Sequence, residues 1–352
     1  MLERKISQRG EDMKRIVLFV LMLGFFGAKD VLAQKLRVGL IIGAGGSSNS
    51  FFQMINRGVG RARKELKVKA YIERAQALKG AAIDQKAVDA AIVRLIEKRK
   101  VDIVVIDWMN TGFGGTVKNL GKKHPNVKWI VEDTDANLGM PNVVSVLFGQ
   151  HEGSFLVGAL AGAMTKSNKV GFIGGVNIPV IDSFKVGFQE GVKYTNSGAT
   201  VETTYLSMLP KFTGFGDPKG AFKKSTEWYG SGVDIIYSAA GASGNGVIRA
   251  AKKSKKFAIG VDSDQDKMAK GRILTSMMKR LDNATYNEIK KIKEGKFKPG
   301  VAYYGLKEGG VSLTEMKYTK NLISGDILSK IRDIEEKIKS GEIKVTNAMV
   351  KK

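Results

Sequence analysis

Cysteine is absent from this 352-residue chain, and histidine occurs only twice. The absence of cysteine excludes disulfides, thiolate metal sites and iron–sulfur clusters, and it also excludes a cysteine-linked lipid at the end of an export signal. His124 precedes a proline and His151 precedes a predicted helix start, and neither has an obvious partner for nucleophilic chemistry. The composition therefore gives little support to an enzyme.

The acidic and serine residues also lack the spacing that metal sites and common catalytic motifs require. Glu132, Asp133 and Asp135 lie close together but do not follow the regular spacing of a calcium loop. Ser276 and Lys279 match a Ser-x-x-Lys pattern, yet they fall on a predicted strand and the companion motifs are missing. We therefore predict no catalysis, no metal and no cofactor.

The first 33 residues have the pattern of an export signal. Met13-Lys14-Arg15 precede the apolar segment 16–27, and Val31-Leu32-Ala33 form a small-residue ending. Because the apolar segment is short for a membrane span, we predict a cleavable signal peptide over residues 1–33, translated from Met13. An uncleaved anchor helix is the alternative. Cleavage before Gln34 would release a protein into the periplasm or cell envelope that is not a lipoprotein.

Basic residues outnumber acidic ones by 58 to 34, which gives a formal charge of +24. Such an excess can mark a nucleic-acid-binding protein. The lysines, however, are spread over many predicted helix faces and turns rather than concentrated in one segment. We therefore expect a solvated basic surface on a monomer, without a nucleic-acid partner. Attraction to an anionic envelope or to an acidic partner is the alternative.

Apolar runs of strand length alternate with amphipathic helical segments along the mature chain. This alternation predicts parallel sheets covered by helices on both faces, and the chain is too long for a single compact core. Asp84 is a predicted helix cap, and Gly341 is a predicted helix end. The fold class is therefore α/β, with two doubly wound parallel-sheet lobes. The predicted strands span residues 36–42, 68–72, 101–106, 127–131, 143–147, 170–173, 201–206, 233–237, 257–261 and the apolar run that ends at Lys279, and a glycine-rich strand region spans residues 303–313.

Two charged residues stand at the ends of neighbouring predicted strands. Asp262 follows the strand 257–261, and ligands of open α/β sheets bind beyond the carboxyl ends of strands. Lys279 ends the next apolar run. Both are candidate ligand contacts. A helix cap is the alternative role for Asp262, and a surface ion pair is the alternative for Lys279.

Aromatic and amide side chains follow other predicted strands. Phe51 lies at a strand-to-helix turn and suits stacking on a nucleobase or another flat ligand. Trp108 and Asn110 follow the strand 101–106 and would supply a second flat surface and a polar contact. Core packing is the alternative for Phe51, and packing under a loop is the alternative for Trp108.

Glycine-rich turns introduce further candidates in the second half of the chain. Phe184 lies at the start of a predicted helix that spans residues 183–194, after Gly174-Gly175, and helix–sheet packing explains this residue equally well. Gly241 opens the stretch 241–246, where the backbone can approach a ligand at a helix start, although close helix–strand packing also explains these glycines. Phe215 is a weaker candidate on a loop.

Four segments are similar to the basic-membrane-protein family of substrate-binding proteins. The Val-Asp-Ser-Asp-Gln and Thr-Ser-Met-Met-Lys-Arg pair is the most specific of them. The similarity covers essentially all of the mature chain, and it implies a type I periplasmic-binding-protein fold with a ligand enclosed between two lobes joined by a hinge. The best-understood members resemble purine-nucleoside receptors of ATP-binding-cassette importers. The similar segments lie at 170–191, 239–247, 259–265 and 274–280.

The resemblance also implies roles for individual residues. Asp262 would accept hydrogen bonds from ribose hydroxyls, and Lys279 would lie near a crossing between the lobes and reach the ligand. The family's Gly-Asp-x-Ser-Phe-Asn turn corresponds to residues 46–52, which brings Ser48 and Asn49 to the site and keeps Phe51 at the stacking position. Ser48 and Phe52 replace the usual aspartate and asparagine.

A second departure concerns the residue that reads the base edge in the family. The family usually carries an aspartate after a Gly-Phe segment, and Gly115 stands at about that place here. A carboxylate that accepts a charged hydrogen bond contributes roughly 1.5 to 3 kcal/mol, so this change bears directly on purine specificity.

These observations predict an exported solute-binding protein that captures a small ligand and delivers it to an ABC permease. A purine nucleoside is the favoured ligand. A sugar or a signalling molecule is the alternative ligand. An exported nucleoside hydrolase is the enzymatic alternative, but residues 43–50 contain no aspartate cluster. We assign residues 34–146 with 281–310 to one lobe, and residues 147–280 with 311–352 to the other.

Overall fold

The computed structural model describes residues 35–43, 49–74 and 83–349. Within them, two six-stranded sheets confirm the predicted α/β class with two parallel-sheet lobes. The strands are β1 Arg37–Ile42, β2 Lys69–Arg74, β3 Ile103–Asp107, β4 Lys128–Glu132, β5 Val143–Phe148, β6 Lys169–Val176, β7 Thr200–Ser207, β8 Ile235–Ala239, β9 Phe257–Asp262, β10 Ile273–Lys279, β11 Gly300–Tyr304 and β12 Val311–Leu313.

Both sheets have the same doubly wound strand order. The first sheet runs β11-β5-β4-β3-β1-β2 and the second runs β12-β10-β9-β8-β6-β7. In each sheet, five consecutive strands are parallel, and a sixth strand that comes later in the chain is added at the edge beside β5 or β10. The strand β11 is parallel to β5, whereas β12 is antiparallel to β10. In each lobe the order reverses beside its first strand, and such switch points form crevices for ligands.

Helices cover both faces of each sheet, because buried parallel strands are apolar on both sides. The helices are α1 Ser50–Glu65, α2 Gln85–Val93, α3 Gly115–Lys123, α4 Gln150–Met164, α5 Pro179–Thr195, α6 Pro218–Gly230, α7 Gly244–Ser254, α8 Leu281–Lys293 and α9 Gly325–Ser340. In the first lobe, α2 and α3 pack on one face with the core residues Ile92 and Leu120, and α1 lies directly against α8 at Gly58. In the second lobe, α4, α5 and α9 cover one face, and α6 and α7 cover the other.

Local sequence signals account for several helix boundaries. The side chain of Asp84 accepts a hydrogen bond from the amide of Ala87 and caps α2, as predicted. Gly341 ends α9 in a left-handed conformation with φ of 82°, which also confirms the prediction. The helix α5 begins at Pro179, before the predicted start at Ser183, because a proline in the first turn needs no amide hydrogen.

The described chain passes between the two sheets three times. The passages follow β5, β10 and β11, at residues 148–150, 279–281 and 304–311. The predicted glycine-rich strand region 303–313 is therefore two short strands in different sheets. The strand β5 continues two residues past the predicted lobe boundary at residue 146, and the exact lobe boundaries stay a proposal.

The predicted signal peptide over residues 1–33 lies outside the described residues. Among the helices that the structure describes, none has the length and apolar character needed to cross a membrane.

Candidate functional site

A cavity of about 410 Å³ opens at the carboxyl ends of strands from both sheets. Its walls come from both lobes, since they include the segments after β1, β3 and β4 of the first sheet and those after β6, β8, β9 and β10 of the second. Ser48 lies outside the described residues. Eight of the nine predicted ligand-binding residues line this cavity: Asn49, Phe51, Trp108, Asn110, Phe184, Gly241, Asp262 and Lys279.

Asp262 is the last residue of β9, and only 6% of it is exposed. Its backbone adopts a left-handed φ of 65°, which is uncommon for residues other than glycine and recurs at functional sites. Ser50 Oγ of the first lobe donates a 2.9 Å hydrogen bond to Asp262 Oδ2. Burial raises the pKa of Asp262 to about 6, although Lys279 and the bond from Ser50 oppose this rise. The Asp262 carboxylate therefore contacts the first lobe directly and also lines the cavity.

Lys279 ends β10, and only 1% of it is exposed. Its ammonium forms an ion pair with Asp133, which follows β4 in the first lobe. The Nζ atom lies 5.7 Å from the ring centre of Phe51, 5.2 Å from that of Phe148 and 5.3 Å from that of Phe184. Such distances allow cation–π attraction. The pair considered as a surface ion pair is thus an ion pair between the lobes, in which Lys279 is buried and the side chain of Asp133 is 16% exposed.

Asp107 and Asn110 form a polar pair at the end of β3. Asn110 donates to Asp107 through its backbone amide at 3.2 Å and through Nδ2 at 2.5 Å. Burial raises the pKa of Asp107 to about 6, and the bonds from Asn110 oppose the rise. Asn110 Oδ1 is buried without a hydrogen-bond partner among the described residues. A buried acceptor of this kind in a cavity wall is available to a ligand donor.

Gly43 makes room for this pair. A Cβ atom at Gly43 would lie 2.1 Å from Asn110 Nδ2 and 2.7 Å from the ring of Phe52. A side chain at this position would displace the Asn110 amide, so only glycine permits the observed arrangement.

Aromatic rings form the outer part of the cavity. Trp108 contacts Phe113 edge to face at 6.3 Å, and Phe113 contacts Phe212 of the second lobe at 5.9 Å. Phe113 is 52% exposed and has a φ of 53°, between Gly112 and Gly114, which are also left-handed. A strained, exposed aromatic residue that touches the opposite lobe is expected at a functional site rather than in a structural turn.

Several predicted residues combine a structural contact with a place in the wall. Asn49 caps α1 by accepting a 3.0 Å hydrogen bond from the amide of Phe51. Phe184 belongs to the core of the second lobe and is 3% exposed. Trp108 packs against Gly114, and Gly241 has a left-handed φ of 54°. Packing and ligand contact are therefore compatible at these positions, and their ligand roles stay predictions.

Gly115, the position of the family's base-reading aspartate, is the first residue of α3 and does not line the cavity. Sequence reasoning missed Asp107 and Asp133 as parts of the site, although each stands at the end of a strand and the rule used for Asp262 applies to both. It also missed Phe212, which lies on the loop after β7, and Met349, which follows α9.

The Ser-x-x-Lys pattern does not form a catalytic pair. Ser276 and Lys279 lie on opposite faces of β10, because they are three residues apart on a strand. Ser276 Oγ accepts a hydrogen bond from the amide of Gln265 at 3.1 Å. In the part of the chain that the structure describes, no group of three or more histidine or acidic residues could hold a metal ion.

Comparison with known proteins gives a consistent result. A family model described as "ABC transporter substrate-binding protein PnrA-like" matches residues 35–348. Basic membrane protein D of Borreliella burgdorferi is 32% identical over 296 residues, which span 75% of this chain and 85% of that protein. A CD4+ T-cell-stimulating antigen of Listeria monocytogenes is 38% identical over 249 residues, which span 65% of this chain and 66% of the antigen, just under two thirds of its length.

A solved structure supports the same relationship. The crystal structure of an ABC transporter system solute-binding protein from Aeropyrum pernix K1 matches with a TM-score of 0.75 and 25% sequence identity. The match covers 89% of this chain and 93% of that one. The resemblance and the type I periplasmic-binding-protein fold predicted from the sequence are therefore confirmed.

Proposed function

Because this chain belongs to the PnrA-like family of ABC-transporter substrate-binding proteins, we propose that it captures a purine nucleoside and delivers it to a membrane permease. The observation that carries this proposal is the cavity between the lobes, which joins aromatic rings to the buried carboxylate of Asp262. Its volume of about 410 Å³ is typical of sites for small organic ligands.

The two ends of a nucleoside suit different parts of this cavity. Phe51 and Trp108 offer flat apolar faces, and stacking of a base on an aromatic ring contributes about 1 to 3 kcal/mol. Asp262 offers carboxylate oxygens, which accept strong hydrogen bonds from the hydroxyls of a ribose. We therefore place the base between the rings and the ribose against Asp262.

The base edge has a different partner from the one usual in the family. With glycine at position 115, the free Oδ1 of Asn110 and the neighbouring carboxylate of Asp107 are the acceptors that the segment after β3 brings to the cavity. A purine edge that carries N–H donors would pair with them. A base with an N–H donor at this edge would satisfy the Oδ1 atom of Asn110, whereas a base without one would leave this acceptor unpaired and would bind more weakly.

The charge of the cavity favours a nucleoside over its phosphate. Asp107, Asp133, Asp135 and Asp262 line the wall, whereas Lys279 is already paired with Asp133. A phosphate would meet uncompensated carboxylates in a site of low dielectric, where like charges repel strongly. Among the described residues that line the cavity, Lys279 is the one basic side chain.

Export and transport complete the proposal. A protein exported by the predicted leader would act as a monomer in the periplasm or cell envelope and would collect solute there. Closure about the three passages between the lobes would bring both walls onto the ligand, and the permease would recognise the closed form.

A thermal-shift screen of residues 34–352 tests this function. We expect a purine nucleoside at about 100 times its dissociation constant to stabilise the protein by about 2.7 kcal/mol. The matched nucleoside 5′-phosphate and free ribose should give much smaller shifts. The screen also contains free bases and common sugars, and an activity assay for release of ribose accompanies it.

The alternatives give different results in the same screen. Stabilisation by a sugar and by no nucleoside would replace the proposed ligand while keeping the binding function. Release of free base from a nucleoside would instead establish the hydrolase. Equal shifts with the nucleoside and its phosphate would contradict the account of the cavity charge.

A further inference from the structure

We propose that the segment after α9, residues 343–349, is held in a fixed position that brings Met349 into the wall of the ligand cavity, and that Met349 helps to select the ligand by size. This inference rests on the proposed function, because it assigns a role within the same cavity. The family match ends at residue 348, so Met349 lies just beyond it. No pattern in the sequence marks Met349 as a ligand contact.

Side-chain contacts fasten the segment to the second lobe. Ile343 and Val345 pack against the apolar core that contains α4 and α5. The amide of Thr346 donates a 3.0 Å hydrogen bond to Glu190 Oε2 near the end of α5. Ser183 Oγ, near the start of the same helix, donates to Asn347 Oδ1 at 2.7 Å. The segment therefore runs along α5 towards the end of the helix that faces the cavity.

Asn347 turns the chain so that Met349 reaches the cavity wall. Its Oδ1 atom, held by Ser183, also accepts a 3.0 Å hydrogen bond from the amide of Met349. Gln150 Nε2 donates to Met349 Sδ at 3.0 Å. Gln150 is fully buried and is the first residue of α4, directly after the passage from β5. Met349 thus lies where a wall of the cavity meets a connection between the lobes.

A methionine at this position can change its side-chain conformation to fit ligands of different shape. Its side chain is flexible and polarizable and fills irregular space next to a ligand. A change of one methylene group in an apolar pocket alters discrimination between ligands by about 10-fold to 200-fold. Met349 partners Gln150 rather than an ionised group, so a substitution there changes the shape of the cavity without removing a charge.

The first test measures selectivity with full-length mature protein. The reference probe is adenosine. N6-benzyladenosine is enlarged at the base, and 5′-methylthioadenosine is enlarged at the ribose end. We expect Met349→Ala to improve binding of at least one enlarged analogue relative to adenosine by about tenfold, and Met349→Trp to shift the ratio the other way. Met268→Ala, which changes a 46% exposed methionine outside the cavity, should leave the ratios unchanged. Unchanged ratios in both Met349 variants would overturn the selection role.

The second test does not require a nucleoside to bind. Since the chain has no cysteine, Met349→Cys introduces a single thiol whose alkylation by iodoacetamide reports its surroundings. We expect slower reaction than for the exposed Met268→Cys and faster reaction than for the fully buried Met54→Cys. Saturating adenosine should slow the reaction of Met349→Cys by about tenfold or more, because little free protein remains.

The outcomes separate this inference from the proposed function. Reaction of Met349→Cys as fast as that of Met268→Cys, with and without adenosine, would place the segment in open solvent and overturn the inference, even if adenosine binds. If adenosine and the other nucleosides fail to bind at all, the proposed function fails. Intermediate reaction of Met349→Cys would then still support its place in the cavity wall.

Discussion

Replacing Lys279 with methionine is expected to lower the free energy of unfolding by about 3 to 5 kcal/mol, which is typical when one partner of a buried ion pair is removed. Lys279 is 1% exposed, and its ammonium lies among three aromatic rings. Methionine keeps most of the volume but not the charge. The carboxylate of Asp133 then loses its cation, and Asp262 loses the charge that favours its ionised form.

Lys279→Met is also expected to weaken nucleoside binding, because the ion pair joins β10 of the second sheet to the segment after β4 of the first and so favours the closed arrangement of the lobes. Urea unfolding measures the change in the free energy of unfolding, and nucleoside titration of the same variant measures the change in affinity. Adding Asp133→Asn to Lys279→Met removes the stranded carboxylate and should restore part of the lost stability.

A matched surface pair provides the control. Lys337 pairs with Asp333 on α9, where the side chains are 33% and 59% exposed. Exposed pairs contribute about 0 to 1 kcal/mol, so Lys337→Met should change little. Equal effects of Lys337→Met and Lys279→Met would refute a special role for the buried pair.

Replacing Asp262 with alanine is expected to weaken binding of the nucleoside at least tenfold, or by about 1.4 kcal/mol. The carboxylate is proposed to accept charged hydrogen bonds from the ribose, and alanine supplies no acceptor. Asp262→Asn keeps the shape and one acceptor oxygen and should bind with intermediate affinity. Calorimetric titration of the three proteins checks this order, and an unchanged affinity in Asp262→Ala would reject the role.

The pH dependence of binding should identify the same group. The pKa of Asp262 is raised from an ordinary value of 3.8 to about 6. Below pH 6 the carboxyl takes up a proton, so affinity should fall by up to about tenfold per pH unit. Asp107 titrates in the same range and lines the same cavity. Asp262→Asn should therefore flatten the part of the profile that Asp262 contributes, and Asp107→Asn should flatten the other part.

Stability should respond to pH with the opposite sign. Because the folded pKa of Asp262 lies above its ordinary value, the folded protein binds the extra proton between about pH 4 and pH 6. Its contribution to stability is present below this window and is lost as the pH rises through it. Asp262→Asn without ligand should therefore be at least as stable as the original protein at pH 7.5. This result would show that lost binding is not caused by unfolding.

Sequence periodicity was sufficient to predict the alternating strands and helices, because buried parallel strands appear as apolar runs and helix ends are marked by capping residues. The strand-end rule likewise predicted that Asp262 and Lys279 would lie in the region where ligands bind. Their partners were not predictable in the same way. The bond from Ser50 to Asp262 spans 212 residues, and the bond from Lys279 to Asp133 spans 146. Pairings across such distances depend on how the two lobes meet, which no local pattern records.

The edge strands and the end of the chain illustrate the same limit. Residues 303–313 have one continuous glycine-rich pattern, yet β11 and β12 belong to different sheets. Met349 follows a helix rather than a strand, and it reaches the cavity only because Ser183 and Glu190 hold the preceding residues. Local sequence signals indicated the elements, whereas the passages between lobes determined the composition of the site.

Calorimetric titration of residues 34–352 with inosine at pH 7.5 tests the central claim most directly. The account predicts saturable heat with one inosine bound per chain and no comparable heat with inosine 5′-phosphate or ribose. Absence of heat with inosine, adenosine and guanosine, together with saturable binding of a sugar, would contradict it.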